Sequence, residues 1–141
     1  MSADPVEVGV GEGPKLRFAW LWWTIGWALV IFTINDSLER NVPNFAHLFS
    51  SDKVLHFSGY FALASWFGGV TRKRRYPLVG VCLIALGGAL EIGQLLMNNG
   101  REGEWLDFAA NTLGVCIGLA VAYAGLGMWP VWVERLLGAQ K

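Results

Sequence analysis

Four long apolar stretches alternate with short polar ones along the chain, and this alternation predicts its architecture. The first runs over about 17–34 and, after Arg17, meets no charge until Asp36. The second, about 54–71, carries His56, Ser58 and Tyr60 near its start. The third, about 77–97, holds one carboxylate, Glu91, and one side-chain amide, Gln94. The fourth, about 106–129, opens with Asp107 and Asn111 and is then wholly apolar. Each is long enough to cross roughly 30 Å of hydrocarbon, and lipid forces backbone groups to bond within their own segment. The pattern predicts an all-α polytopic membrane protein: a single domain over 1–141 with four transmembrane helices in an up-and-down bundle. Pro43 and Asn44 mark a turn between the first two helices, Pro77 suits a helix start, and Pro130 bends the chain after the fourth. The tail 131–137 reads as a short interfacial helix or a frayed end. Acidic residues precede the first span and no small-x-small site follows Ile34, so that helix is expected to stay uncleaved.

Composition supports the membrane class: 54% of the residues are hydrophobic and only 16% charged, against about 25% charged in soluble domains. Eight Trp and 18 Gly agree with it. Eleven basic residues cancel eleven acidic ones, which argues against a nucleic-acid partner. Cys82 and Cys116 lie in apolar runs and read as small hydrophobes. Lys15, Arg17, the run Arg72 to Arg75, Arg135 and Lys141 all fall on one side if four helices alternate. The positive-inside rule then places both termini in the cytoplasm. Trp20, Trp22, Trp23, Trp129 and Trp132 are expected to form a cytoplasmic aromatic belt, with Trp105 at the outer interface.

The polar residues inside these runs gather on the opposite side. Asp52, His56 and Tyr60 recur every fourth residue and share one face of the second helix. Asp107 and Asn111 do the same at the start of the fourth, while Glu91 and Gln94 lie near the outer end of the third and Arg101 in the connection that follows. A carboxylate within an apolar helix is costly unless paired or protonated, which makes Glu91 a functional candidate with Arg101 or His56 as its partner. Asp107 is expected either to cap the fourth helix or to hold Arg101. Gly114 and Gly118 form a GxxxG stripe that reads chiefly as close helix packing. It also offers a contact for a homodimer.

In order, Asp52-Lys53-x-x-His56-x-x-x-Tyr60, Glu91-x-x-Gln94, Gly100-Arg101 and Asp107-x-x-x-Asn111-x-x-Gly114-x-x-x-Gly118 resemble the pattern of the VanZ-like membrane proteins, named after an accessory protein of teicoplanin resistance. The resemblance covers about 17–127. It implies that Asp52, Lys53, His56, Tyr60, Glu91, Gln94, Arg101, Asp107 and Asn111 are the positions to test, whereas the Pro frequent before the family's Gly-Arg pair is absent here.

Three functions are weighed. The first is a binding or accessory protein whose outward cluster engages a lipid-linked or other anionic envelope precursor, with Lys53 and Arg101 on phosphate. Asp52, Tyr60, Gln94 and Asn111 complete its binding set. The second is an intramembrane enzyme acting on an envelope phosphoester or peptide-like substrate, with His56, Glu91 and Asp107 as acid-base candidates. No activated nucleophile accompanies them: Ser58 is not one turn from His56. A metal shell of His56, Glu91 and Asp107 is a variant of this reading without a local spacing such as HExxH, so no metal or other cofactor is expected. The third is proton-coupled transport or assembly of a membrane complex.

Overall fold

The computed structural model describes residues 14–38, 52–97 and 105–138. These form α1 (Ala19–Leu38), α2 (Asp52–Val70), α3 (Tyr76–Met97), α4 (Trp105–Tyr123) and α5 (Trp129–Leu136), with one-turn 3₁₀ segments at Lys73–Arg75 and Leu126–Met128. Among the described residues there is no strand. The Pro43–Asn44 turn lies outside them.

Two of the helices, spanning Lys73–Met97 and Trp105–Tyr123, are long and apolar enough to cross a membrane. The other two long helices are more polar. Tryptophans and the Asn35–Asp36 end dilute α1, and Asp52, Lys53 and His56 occupy the first two turns of α2.

Small residues decide how the helices pack. A Cβ on Gly114 would collide with the Phe57 carbonyl of α2, and one on Gly118 would stand 2.7 Å from the Phe61 carbonyl. The α4 backbone therefore rests directly on α2, and the matched advance from Phe57 to Phe61 and from Gly114 to Gly118 shows that the two helices run in the same direction. Further along, Gly68 of α2 meets Ala122 of α4. The GxxxG stripe is thus spent inside the chain, and a homodimer through Gly114 and Gly118 would require α2 to leave. Helix α3 runs the other way, with Gly80 beside Leu119 and Gly88 beside Phe108. Helix α1 also opposes α2: Trp66 Nε1 near the end of α2 donates to the carbonyl of Trp22 near the start of α1 at 3.1 Å.

The fourth helix ends at Tyr123, short of the expected 129. Gly125 takes φ 124°, a conformation that admits few side chains, and so turns the chain out of the helix. Lys73 Nζ donates to the Tyr123 carbonyl at 2.8 Å and lies 4.5 Å above its ring, placing a cation at the negative end of α4. Pro130 sits in the first turn of α5, where its missing donor costs nothing.

The tail is neither frayed nor merely interfacial. Glu134 of α5 is 0% exposed. Its carboxylate accepts from Arg17 N at 2.8 Å, Phe18 N at 3.0 Å and Trp22 Nε1 at 2.9 Å. Those amides stand at the opening of α1, where backbone donors have no partner inside the helix and the helix dipole favours a negative charge. A residue near one end of the sequence thereby caps a helix near the other. Trp22, Trp66 and Trp129 pack around the latch, with ring centroids 5.8 Å, 5.2 Å and 4.8 Å apart pairwise. Of the expected aromatic belt, Trp20, Trp132 and Trp105 are exposed, but Trp22 is buried and Trp129 half-buried because they belong to this aromatic cluster.

Replacing Glu134 with Ala should lower unfolding stability by about 2–3 kcal/mol, because three donors lose a charged acceptor. Glu134→Gln, which keeps one acceptor oxygen, should lose less. Thermal unfolding of the detergent-solubilised protein measures both, and an unchanged melting temperature for the Ala variant would show that the latch does not hold the two ends together.

Candidate functional site

The antiparallel and parallel pairings bring the end of α1, the start of α2, the end of α3 and the start of α4 to one end of the bundle. Most of the polar residues singled out in the sequence meet there. Helix α2 supplies Lys53, His56 and Tyr60, helix α3 Glu91 and Gln94, and helix α4 Asp107 and Asn111. Helix α2 opens at Asp52, whose side chain lies outside the described part, as does the whole of Arg101.

The centre is His56. Its Nδ1 lies 3.2 Å from Asn111 Oδ1, and because that oxygen can only accept, Nδ1 carries the proton of the contact. In the neutral ring, Nε2 then holds the lone pair. It faces Asp107 Oδ2 at 3.9 Å, beyond direct hydrogen-bond reach. Asp107 is the third residue of α4, so it does not act as the helix cap. Its other oxygen stands 3.4 Å from Lys53 Nζ, an ion pair without hydrogen-bond geometry. Lys53 forms the rim of the cluster, with 39% of its side chain exposed against 6% for Asp107. The first turn of α4 favours the carboxylate through its dipole.

Glu91 enters from α3 and is buried. One ligand atom each from His56, Glu91 and Asp107 lie within 4.8 Å of one another, so among the described residues these three, from three helices, are grouped closely enough to hold a metal ion. Tyr60 is 2% exposed, and its hydroxyl has no hydrogen-bond partner among the described residues. Gly87 lies at this convergence, where a Cβ would stand at ordinary contact distance, 3.4 Å, from both Asn111 and the Tyr60 ring.

Gln94 serves a different purpose. Its Nε2 donates at 2.8 Å to the carbonyl of Ser37, tying α3 to the last turn of α1. This partner was not foreseen, because a backbone carbonyl leaves no mark in a sequence. Ser58 is exposed, on a face of α2 away from His56, and offers the imidazole no nucleophile. A cavity of about 500 Å³ lies at the opposite end of the bundle, lined by Lys15, Trp23, Arg72 and Arg75 among others. It is separate from the buried cluster.

The chain matches no protein-family model, no curated protein and no solved structure.

The contact between His56 and Asn111 should appear as a coupling. Single and double Ala replacements at these two positions should deviate from additivity by about 0.6 kcal/mol, the scale of side-chain pairs between membrane helices. Reversible unfolding in mixed detergent micelles supplies the four stabilities; strict additivity would mean that the contact contributes nothing.

Proposed function

We propose that the chain is a VanZ-like polytopic membrane protein that binds an anionic, lipid-linked envelope precursor at the mouth of the His56 cluster. In this reading α1 to α4 are four spans in the bacterial inner membrane, with both termini and the Arg72–Arg75 stretch in the cytoplasm. The outward faces support it. Trp27, Ile31 and Phe32 of α1, and Leu78, Val81, Ile92 and Leu96 of α3, are exposed apolar residues of the kind that lipid covers. The buried polar side chains point inward, as ionisable residues in a membrane bundle do.

The observation that carries the binding role is the gradation at Lys53. Its ammonium stands at the rim while the carboxylate it approaches and the imidazole one turn further on lie deeper. A phosphate arriving at this end meets the Lys53 cation before the deeper side chains of the cluster. An intramembrane acid-base enzyme is the second reading, favoured by an imidazole oriented by Asn111 and faced by Asp107.

Two measurements test these readings. In a background lacking Cys82 and Cys116, Arg101→Cys should label with an impermeant thiol reagent added outside intact cells and Lys73→Cys should not; the reverse pattern would overturn the topology. Native mass spectrometry of the purified protein with anionic phospholipids and lipid pyrophosphates should show saturable retention, weakened about tenfold by Lys53→Ala, the value of one charged contact. Equal retention by the variant would overturn headgroup binding. A headgroup product formed by the wild type and not by His56→Ala would favour the enzyme.

A further inference from the structure

We infer that His56, Glu91 and Asp107 bind a divalent transition-metal ion between α2, α3 and α4. The three ligand atoms lie within 4.8 Å of one another and come from buried or half-buried side chains. Two ligands held by one zinc ion at about 2.0–2.2 Å each are at most about 4.4 Å apart. The 3.9 Å gap between His56 Nε2 and Asp107 Oδ2 already satisfies that limit. A small inward turn of the Glu91 carboxylate completes the triangle. One imidazole beside two carboxylates suits ions such as Zn²⁺ or Mn²⁺.

Two independent features point to an ion rather than to a helix lock. The first is the orientation of the imidazole. With Nδ1 directed at Asn111, the ring turns Nε2 towards an Asp107 carboxylate oxygen 3.9 Å away, too far for a direct hydrogen bond and within the span of two ligands on one ion. Metal-bound histidines are commonly fixed in this way, by an acceptor on the ring nitrogen that faces away from the ion. The second is Tyr60, whose buried hydroxyl has no hydrogen-bond partner among the described residues and whose ring lies beside Gly87, one turn before Glu91 on α3. A water on the ion would give that hydroxyl an acceptor.

An ion also changes what the mouth of the cluster attracts. Glu91 and Asp107 outweigh Lys53 in charge, and a divalent cation among them reverses that balance. An anionic headgroup can then meet the ion as well as Lys53. This last step rests on the headgroup reading above; the metal site does not.

The test uses the full chain, purified with EDTA, dialysed separately against Zn²⁺, Mn²⁺ and Mg²⁺, and analysed for bound metal. One Zn²⁺ or Mn²⁺ per chain is expected, with a higher melting temperature than the stripped protein and little retention of Mg²⁺. His56→Ala and Asp107→Asn should lose the ion while melting close to the stripped wild type, which separates lost ligation from lost fold. Co²⁺ loaded into the wild type should give visible absorption bands that Tyr60→Phe shifts and His56→Ala abolishes. Failure of the wild type to retain either transition ion, or equal retention by His56→Ala, would overturn the site. Lipid retention measured on stripped and loaded protein decides the coupling: a gain on loading supports it, and equal retention overturns it while leaving the metal site intact.

Discussion

The contact on which the site depends is the direct seating of α4 on the backbone of α2 through Gly114 and Gly118. At this contact, close backbone approach and an interhelical polar bond hold the two helices together. Glycine permits that approach, and it also fixes register. A helix advances 3.6 residues per turn, so sliding α4 by one residue would swing each of its side chains by about 100° around the axis. Asn111 would leave Nδ1 of His56, and Asp107 would leave both Nε2 and Lys53. The polar contacts therefore need the glycine seat one and two turns along the same helix.

Helix α3 enters this arrangement from the opposite direction, with Gly87 facing α2 and α4. Tyr60 and Asn111 occupy the space beside it, which brings Glu91, one turn further on, to the level of His56 and Asp107. Gln94 then anchors the same stretch of α3 to α1 through Ser37. Four helices are thus fixed at one end by small residues and a few polar bonds. The opposite end is held by Glu134 and the packed tryptophans. These two ends use buried carboxylates in different ways. Glu134 accepts three well-formed hydrogen bonds from a helix terminus, and its chemistry is consumed by that task. Asp107 is met by an ion pair and a distant imidazole nitrogen, with Oδ1 accepting no hydrogen bond among the described residues. The first carboxylate is structural; the second retains capacity for something else.

Much of this was legible from spacing. Residues four apart stay on one helix face whatever the tertiary structure, so His56 with Tyr60, and Asp107 with Asn111, were readable as pairs before their helices met. The up-and-down order of the helices also dictates which helix ends lie together, and hence that Glu91 and His56 share one end of the bundle. Three features were less legible for physical reasons. The apolar run after Tyr123 continues unbroken to Met128, and a hydrophobicity pattern does not register that Gly125 takes a positive φ. Trp22 resembles its neighbours, the exposed Trp20 and the half-buried Trp23, in sequence, and what sets it apart is a carboxylate supplied from the far end of the chain. Glu134 itself lies in a segment too short to suggest burial, although one acid following Val131 on the same helical face was the available signal.

The charge of the cluster links its two proposed roles. Two buried carboxylates repel an anionic headgroup more than one rim lysine attracts it, and desolvation strengthens every charge in the bundle interior. A site built only to bind phosphate would place arginines where Glu91 and Asp107 stand. Acids are useful there if they hold a cation on which the anion can settle, because the carboxylates then contribute ligands rather than repulsion. His56 fits the same logic, since Asn111 holds its ring with one nitrogen turned to the acids instead of leaving it free to rotate. The arrangement that is costly for direct anion binding is therefore the one expected of a site in which an ion stands between the protein and its ligand.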